Sequence, residues 1–300
     1  MSVKILPAPK PITEKEFAAL LPVALAEKIA VGVSGGADSM ALALLLHQAK
    51  PGAVQAVIVD HRLRSQGGKE AALAEQWLTQ RGIAAVIIPV SVKKQGNKLE
   101  QARVARGEAL RTYCLNAGID QCFLAHHQDD QAETVWLRLC RGTGVSGLAA
   151  MRPRIMQDDI AVVRPLLGVE KARLEATCTA FGQAWLSDPS NFGDTQRAAM
   201  RALPPSLLPS SARLASTAHS AAEIEDVLEC VVAEAKAGID AGTVQFDSLH
   251  LEIQRRLLLE VIHNSMPGYR PRARGVAEMQ RRLQQGKSGE LAGVRFTPEG

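Results

Sequence analysis

The chain has 300 residues, of which 46% are hydrophobic and 22% charged, and its formal net charge at pH 7 is +4. This composition is typical of a globular protein, and no apolar run approaches the roughly 18 residues that a membrane-spanning helix needs. Because the N-terminus also lacks the apolar core of a signal peptide, we expect a cytoplasmic protein. The five cysteines are widely spaced without a C-x-x-C pair, which argues against disulfides or a zinc site and predicts buried thiols.

Short apolar runs alternate with segments of helical periodicity along most of the chain. The candidate strands are Ile29–Val33, Val54–Asp60, Ala84–Val90, Cys122–His126 and Ile160–Val163. The candidate helices are Asp38–Gln48, Lys69–Arg81, Leu99–Asn116, Asp129–Arg138 and Glu170–Phe181. This alternation predicts an α/β fold, namely a doubly wound, mostly parallel five-stranded sheet with helices on both faces.

A proline-rich stretch from Pro204 to Pro209 interrupts this pattern, because proline breaks helices. Helical periodicity returns beyond it and predicts a small α-rich domain. Its candidate helices are Ala212–Ala237, Ser248–Asn264 and Val276–Gln285. We therefore expect an N-terminal extension (residues 1–27), an α/β domain (28–203) and an appended helical domain (204–300).

A glycine-rich corner, Ser34-Gly-Gly-Ala-Asp-Ser39, joins the first predicted strand to the first predicted helix. Gly35 and Gly36 permit positive φ angles and close backbone approach, so that amide groups at the helix N-terminus can face an anion. The two serine hydroxyls add donors, and Asp38 can hold Mg²⁺ against phosphates. The chain lacks a complete Walker loop, and its one G-x-G-x-x-G follows a predicted helix. This corner is therefore the predicted nucleotide site.

Polar clusters follow the other predicted strands. Asp60-His-Arg-Leu-Arg64 comes after the second strand, a basic loop from Ser91 to Lys98 after the third, and His126-His-Gln-Asp-Asp130 after the fourth. Because the carboxyl ends of parallel strands share one edge of a sheet, we expect these groups to share one site. Asp130 and Glu133 lie on one helical face and can bind Mg²⁺, bind an amine or act as general base, with a transition-metal site as the competing interpretation.

Basic residues are clustered rather than evenly spread. They are concentrated in Ser91–Arg111, Arg138–Arg173 and Arg270–Arg295. Three such stretches predict a polyanionic partner larger than a nucleotide. Because aromatic residues are only 4% of the chain, we expect contact with phosphates rather than stacking on bases.

Several motifs occur together in one order. They are Ser34–Ser39, Val59–Arg64, Glu100-Gln-Ala-Arg103 with Arg106, Ala125–Thr134, Leu139–Leu148, Arg164-Pro-Leu-Leu167 and Asp188-Pro-Ser-Asn191. In this combination, from about Lys28 to Leu208, the chain resembles the tRNA(Ile)-lysidine synthases, which are PP-loop enzymes of the N-type ATP pyrophosphatase class. The resemblance implies a ligase that uses ATP and Mg²⁺ to attach free L-lysine to the wobble cytidine of tRNA(Ile) with a CAU anticodon. An adenylated cytidine is the implied intermediate, AMP and pyrophosphate are released, and codon reading changes from AUG to AUA.

The resemblance also implies a role for each matching residue. The implied ATP-binding residues are Ser34, Gly35, Gly36, Ala37, Asp38, Ser39, Asp60, Arg64 and Gly142, with Asp38 as the Mg²⁺ ligand. The implied catalytic residues are Asp38, Asp130, Glu133, Arg106 and His127. The residues implied to bind lysine or tRNA are Arg103, His126, Arg141, Asp188, Asn191, Arg197 and Arg201, and the basic end of the helical domain is expected to contact tRNA.

The sequence departs from the family pattern at two positions and leaves three alternatives open. Gly107 stands where the family commonly has tyrosine, and Ala198 where it usually has asparagine, which bears on substrate contacts rather than on the ATP site. The alternatives are an adenylating tRNA thiolase of the 2-thiocytidine type, an ammonia-dependent amidating ligase, and a nucleotide-binding protein without catalytic activity. No membrane partner is expected, and a homodimer is left open.

Overall fold

The computed structural model describes residues 8–62, 66–91, 98–186 and 209–298. Its helices are α1 (Glu14–Leu20), α2 (Ala37–Ala49), α3 (Gly67–Gln80), α4 (Lys98–Ala117), α5 (Gln128–Cys140), α6 (Val145–Leu148), α7 (Lys171–Ala180), α8 (Ser211–Asp240), α9 (Leu251–Ser265) and α10 (Ala273–Gln284). Its strands are β1 (Ile29–Val33), β2 (Val54–Asp60), β3 (Ala84–Pro89), β4 (Gln121–Phe123), β5 (Arg154–Gln157), β6 (Ile160–Val163), β7 (Gly289–Leu291) and β8 (Val294–Phe296). Among the helices of these ranges, none is long and apolar enough to span a membrane.

The main sheet has six strands in the order β3-β2-β1-β4-β6-β5. Neighbouring strands are parallel except for β5 and β6, which are antiparallel. The predicted α/β class with a mostly parallel sheet is confirmed, but the prediction of five strands was one too few. The missed strand, β5, lies at the edge of the sheet, and all four of its residues are exposed. It therefore lacks the alternation of apolar and polar residues that reveals a strand in a sequence.

The strand order reverses beside β1. This strand pairs with β2 on one side and with β4 on the other, and the chain continues from β1 into α2 and from β4 into α5. In open α/β sheets, ligands bind at the carboxyl ends of the strands where such a reversal leaves a crevice. The glycine corner after β1 and the His126–Asp130 segment after β4 therefore border the same crevice.

Helices cover both faces of the sheet, because successive strand residues point to opposite sides. Ile29 and Val31 of β1 belong to the larger core, to which α1, α2, α3 and α7 contribute. Ala30, which lies between them in sequence, belongs to the second core, where α4 contributes Leu110 and Cys114. Both faces of β1 are therefore buried, as its continuous apolar sequence predicts.

The chain divides into two compact units, Met1–Ser220 and Ala221–Gly300. In the second unit, α9 and α10 pack around Leu258, Val276 and Met279. Arg256 forms a bidentate ion pair with Glu225 at 2.8 and 2.9 Å, and β7 and β8 form an antiparallel hairpin. The helical C-terminal region expected from the sequence is confirmed, with this hairpin as an addition.

The expectation of buried thiols was wrong for two of the five cysteines. Cys114, Cys122 and Cys178 are buried, whereas Cys140 and Cys230 are exposed. The exposed pair lie on the solvent sides of α5 and α8, which their spacing in the sequence did not reveal. All five thiols are free.

Helix α1 anchors the N-terminal segment to the larger core. Phe17 is only 1% exposed and packs within that core. The backbone N–H of Ile12 donates to Thr177 Oγ1 at 2.9 Å, and Arg173 forms a bidentate pair with Glu16 at 2.5 and 2.7 Å. The segment is thus held by burial as well as by polar contacts with α7.

We expect Phe17→Ala to lower the free energy of unfolding by about 3 kcal/mol, because removing a buried ring leaves a cavity. Urea unfolding followed by tryptophan fluorescence measures this, since Trp77, Trp136 and Trp185 all lie in the first unit. Lys15→Ala, an exposed position on the same helix, is the control and should change stability by less than about 0.5 kcal/mol. Equal losses in the two variants would contradict the packing of α1 in the core.

Candidate active site

Only one of the two adjacent glycines in the corner between β1 and α2 has a backbone that requires glycine. Gly35 has a φ of +83°, and a Cβ there would lie 2.5 Å from Cδ1 of Leu186. Gly36 has a φ of −72°, so it does not use the positive φ that glycine permits. Among the described residues, a Cβ on Gly36 would meet only Ser34 Oγ, at 3.6 Å. Gly36 therefore leaves open space beside the corner.

Three hydrogen bonds fix the peptide groups of the corner. Leu186 N–H donates to the Gly35 carbonyl at 2.9 Å, so the trans peptide directs the Gly36 N–H to the opposite side. Ser39 Oγ donates to the Gly36 carbonyl and accepts from Ser34 N–H, both at 3.1 Å. The N-cap Gly36 provides no side-chain cap for α2. The amide groups of the first turn of α2 are therefore oriented for an anion, as expected of a phosphate site.

Asp38 presents one buried oxygen to this corner. Its Oδ1 is buried and has no hydrogen-bond partner among the described residues, while its Oδ2 lies 3.5 Å from His127 Nε2. A buried carboxylate oxygen without a partner is unfavourable unless a cation reaches it. The residues present therefore fit Mg²⁺, which prefers oxygen ligands and usually binds one or two carboxylates together with substrate phosphates. Within the described ranges, no group of three His, Cys, Asp or Glu residues could hold a metal ion.

His127 connects the two helices that border the crevice. It is the N-cap of α5, because its Nδ1 accepts from Asp129 N–H at 3.3 Å. Its Nε2 lies 3.5 Å from both Asp38 Oδ2 and Asp130 Oδ2. Burial lowers the pKa of His127, but the neighbouring carboxylates of Asp38, Asp130 and Asp129 outweigh it, so the pKa is raised above its ordinary value.

The carboxylates of α5 have different surroundings. Asp130 Oδ2 accepts from His127 N–H at 3.0 Å and completes a capping box, so this residue also stabilises the start of the helix. The Asp130 side chain is 22% exposed, and through His127 it adjoins Asp38. Glu133, one turn further on, is buried. The positive end of α5 favours negative charge at Asp130.

A group of basic side chains surrounds His126. Arg106 of α4 and Arg164, which directly follows β6, are half-buried, and burial together with the charge of Arg103 lowers the pKa of each. Burial is also the main cause that lowers the pKa of His126 to about 4; Asp130 opposes the shift and the three arginines add to it. The imidazole is therefore neutral at pH 7. Sequence reasoning gave Arg164 no role, although its place at the carboxyl end of a strand was a usable signal.

Other predicted site residues have local structural roles or cannot be placed. Asp60 Oδ1 accepts from Arg62 N–H at 2.9 Å and lies beside the start of α3, where a Cβ on Gly67 would be 3.2 Å away. Arg141 is the C-cap of α5, and Gly142, with a φ of +69°, follows it. Ala37 begins α2. The predicted residues outside the described ranges are Arg64, Asp188, Asn191, Arg197 and Arg201.

Comparison with known proteins defines the class. Residues 9–207 of this chain match the PP-loop domain family. The fold is similar to that of the solved U34-tRNA thiolase NcsA from Methanococcus maripaludis, with a TM-score of 0.55 and 16% identity over 72% of this chain and 77% of that one. The chain therefore contains a PP-loop domain, and such domains use ATP.

Two curated proteins show the particular family. The chain is 38% identical over 291 residues to the tRNA(Ile)-lysidine synthase of Ruegeria pomeroyi, covering 91% of this chain and 69% of that protein. It is 33% identical over 282 residues to the tRNA(Ile)-lysidine synthase of Zymomonas mobilis, covering 90% of this chain and 85% of that protein. The chain belongs to the tRNA(Ile)-lysidine synthase family, as the motifs in its sequence indicated.

We expect Gly35→Ala to weaken ATP binding at least tenfold, or about 1.4 kcal/mol, as measured by calorimetric titration. Alanine would have to adopt the left-handed φ of this position, and its Cβ would contact Leu186. Both effects would move the amide groups of the corner. Gly52→Ala is the matched control, because Gly52 has nearly the same φ, +82°, with nothing within 4 Å of the added Cβ. The double variant Gly35→Ala/Leu186→Ala should recover part of the lost affinity. Wild-type affinity in Gly35→Ala would contradict this account of the corner.

The half-buried, neutral His126 should make the protein less stable in acid. The unfolded residue titrates near pH 6.5 and the folded one near 4, so the unfolded chain binds more protons between these values and stability falls as the pH drops through them. From about pH 7.5 to pH 5, wild type should lose about 2 kcal/mol more than His126→Gln in urea unfolding followed by tryptophan fluorescence.

The control for this pH effect is His263→Gln, because His263 is exposed on α9. This variant should keep the pH dependence of the wild type. If His126→Gln instead loses as much stability in acid as the wild type, the neutral state of the His126 imidazole is refuted.

Proposed function

We propose that this chain ligates L-lysine to the wobble cytidine of tRNA(Ile) with a CAU anticodon, using ATP and forming lysidine, AMP and pyrophosphate. The observation that carries the proposal is the contact of His127 with both Asp38 and Asp130, at 3.5 Å each. It places the phosphate corner of α2 beside the carboxylates of α5. A nucleotide and a cationic amine can therefore be bound side by side in one crevice.

The first proposed step is attack of the cytosine C2 carbonyl oxygen on the α-phosphorus of ATP. A P–O bond forms, the bond to the β-phosphate breaks, and pyrophosphate leaves with the electron pair. The oriented amide groups of α2 and the hydroxyl of Ser34 bind the departing phosphates, where donors aimed at developing charge lower the barrier. Asp38 would hold Mg²⁺, which when bound supplies positive charge to that leaving group.

The second proposed step is attack of the lysine ε-amine on C2, which releases AMP. A lysine amine has a pKa of about 10.4, so its neutral form costs roughly 4–5 kcal/mol at pH 7. In this proposal, Asp130 and Glu133 bind the ammonium group and one of them takes its proton. His127 acts as a positioning residue, because in its neutral form Nδ1 accepts from the backbone and the proton on Nε2 faces the two aspartates.

The remaining expectations belong to the same proposal. Arg103, Arg106, His126 and Arg141 contact tRNA or phosphate, and the basic end of the helical domain contacts the tRNA backbone. The domain boundaries after residues 27 and 203, the cytoplasmic location and the homodimer also remain predictions. Among the described residues, no observation favours a thiolase, an amidating ligase or a protein without catalytic activity.

A lysine-transfer assay tests the function. Purified protein, ATP, Mg²⁺ and labelled L-lysine should place label on a CAU-anticodon tRNA(Ile) transcript and release one AMP for each lysine transferred. A tRNA(Met) transcript should remain unlabelled. Failure to label the isoleucine transcript would exclude the proposed reaction.

Three variants separate the steps. Asp38→Asn should abolish AMP formation, whereas Asp130→Asn and Glu133→Gln should raise the KM for lysine by about 10- to 100-fold, the effect of losing a hydrogen bond to a charged group. Asparagine is chosen at position 130 because its side-chain oxygen can still accept from His127 N–H and preserve the start of α5. A normal KM for lysine in both α5 variants would refute their assignment.

A further inference from the structure

Arg164 has a buried donor that the proposed mechanism does not use. Its Nη1 donates to the carbonyl of Arg152 at 3.2 Å, which fixes the side chain. Its Nε is buried and has no hydrogen-bond partner among the described residues. A buried guanidinium donor without an acceptor is unfavourable, so this position fits an anion supplied from outside the described protein.

The surroundings of Arg164 are also short of acceptors. Arg103 and Arg106 are near enough to act on the same His126, and His126 Nδ1 is likewise buried without a partner in the described part of the chain. Asp130 is the carboxylate that offsets this positive charge at His126 and Arg106. Burial, followed by the positive charge of Arg103, lowers the pKa of Arg106 and of Arg164. An oxyanion would relieve both the repulsion and the unmet donor at Arg164 Nε.

The sheet topology places Arg164 away from the glycine corner. Arg164 follows β6, which pairs with β4, whereas the corner follows β1 on the other side of β4. Neighbouring strands are spaced by about 4.8 Å, so the ends of β1 and β6 are about 10 Å apart. This separation exceeds that between adjacent phosphates of one nucleotide. The anion at Arg164 is therefore expected to be a different group from the phosphates held at the corner.

We propose that Arg164, with Arg103, Arg106 and His126, binds a phosphodiester group of the RNA strand that carries the target base. The inference rests on the proposed function, which requires an RNA base to reach the α-phosphorus at the corner. The strand that delivers the base then passes over the neighbouring ends of β4 and β6. A guanidinium presents paired donors that match phosphate oxygens, and an arginine already fixed by Arg152 binds with little loss of conformational freedom.

Direct RNA binding tests this site without requiring catalysis. The affinity for a CAU anticodon stem-loop RNA, measured without ATP or lysine over a series of salt concentrations, should fall at least tenfold in Arg164→Gln. The slope of log affinity against log salt should decrease by about 0.7, the value for one lost phosphate contact on a single strand. Arg164→Lys keeps the positive charge but loses the paired N–H donors of the guanidinium. It should give an intermediate RNA affinity with a nearly unchanged salt slope.

Arg111→Gln is the matched control. Arg111 also lies on α4, but it pairs with Asp158 at 3.0 Å at the amino end of β6, the opposite edge of the sheet from Arg164. This variant should bind RNA within twofold of wild type. Tryptophan fluorescence measures the unfolding midpoint of each variant and identifies any that fails to fold. If Arg164→Gln does not fold, the RNA affinity and salt slope of Arg164→Lys are compared with those of the wild type instead.

The outcomes distinguish this inference from the proposed function. Lysine transfer by the wild type together with unchanged RNA affinity and salt slope in Arg164→Gln overturns the inference and leaves the function standing. A rise in the KM for ATP or for lysine, in place of weaker RNA binding, also overturns it, because the anion would then be a nucleotide phosphate or the lysine carboxylate. Loss of RNA affinity with the smaller slope supports it, even if the wild type transfers no lysine.

Discussion

The reversal of strand order between β1 and β4 is the constraint on which the site depends. It brings the N-termini of α2 and α5 to one crevice, and two positive helix ends in one place favour negative charge. Asp38 and Asp130, each in the first turn of its helix, supply that charge, and His127 lies 3.5 Å from both. Neither helix alone provides this arrangement, because each contributes only one of the two carboxylates.

Helix capping and site geometry depend on the same imidazole. His127 begins α5 through Nδ1 and approaches the two aspartates through Nε2. Protonation of Nδ1 would strengthen its attraction to the carboxylates but remove the lone pair that accepts from the Asp129 N–H. The raised pKa of this residue and its capping role are therefore opposed, which ties the charge state of the crevice to the start of the helix.

The sequence was informative where chemistry and periodicity coincide. The glycine corner, the apolar run of β1 and the polar segment after β4 predicted both the sheet and the crevice. Strand β5 was missed because an exposed edge strand lacks alternation, and the contact of Leu186 with Gly35 was missed because it joins distant parts of the chain. Arg164 was overlooked because its surroundings depend on which strands are neighbours. Such contacts follow from topology rather than from local pattern.

The carboxylates and the arginines of the site are on different elements: Asp38 and Asp130 are in the first turns of α2 and α5, Arg103 and Arg106 are on α4, and Arg164 follows β6. His126, neutral at pH 7, lies among the arginines without adding to their charge. Asp130 acts on both groups, since it adjoins His127 and its charge also opposes the lowering of the pKa of Arg106 and of His126. Neutralising the Asp130 carboxylate therefore changes the electrostatic potential both where an ammonium group would bind and where a phosphate would bind. Effects of Asp130→Asn on RNA binding would follow from this long-range coupling and require no direct contact with RNA.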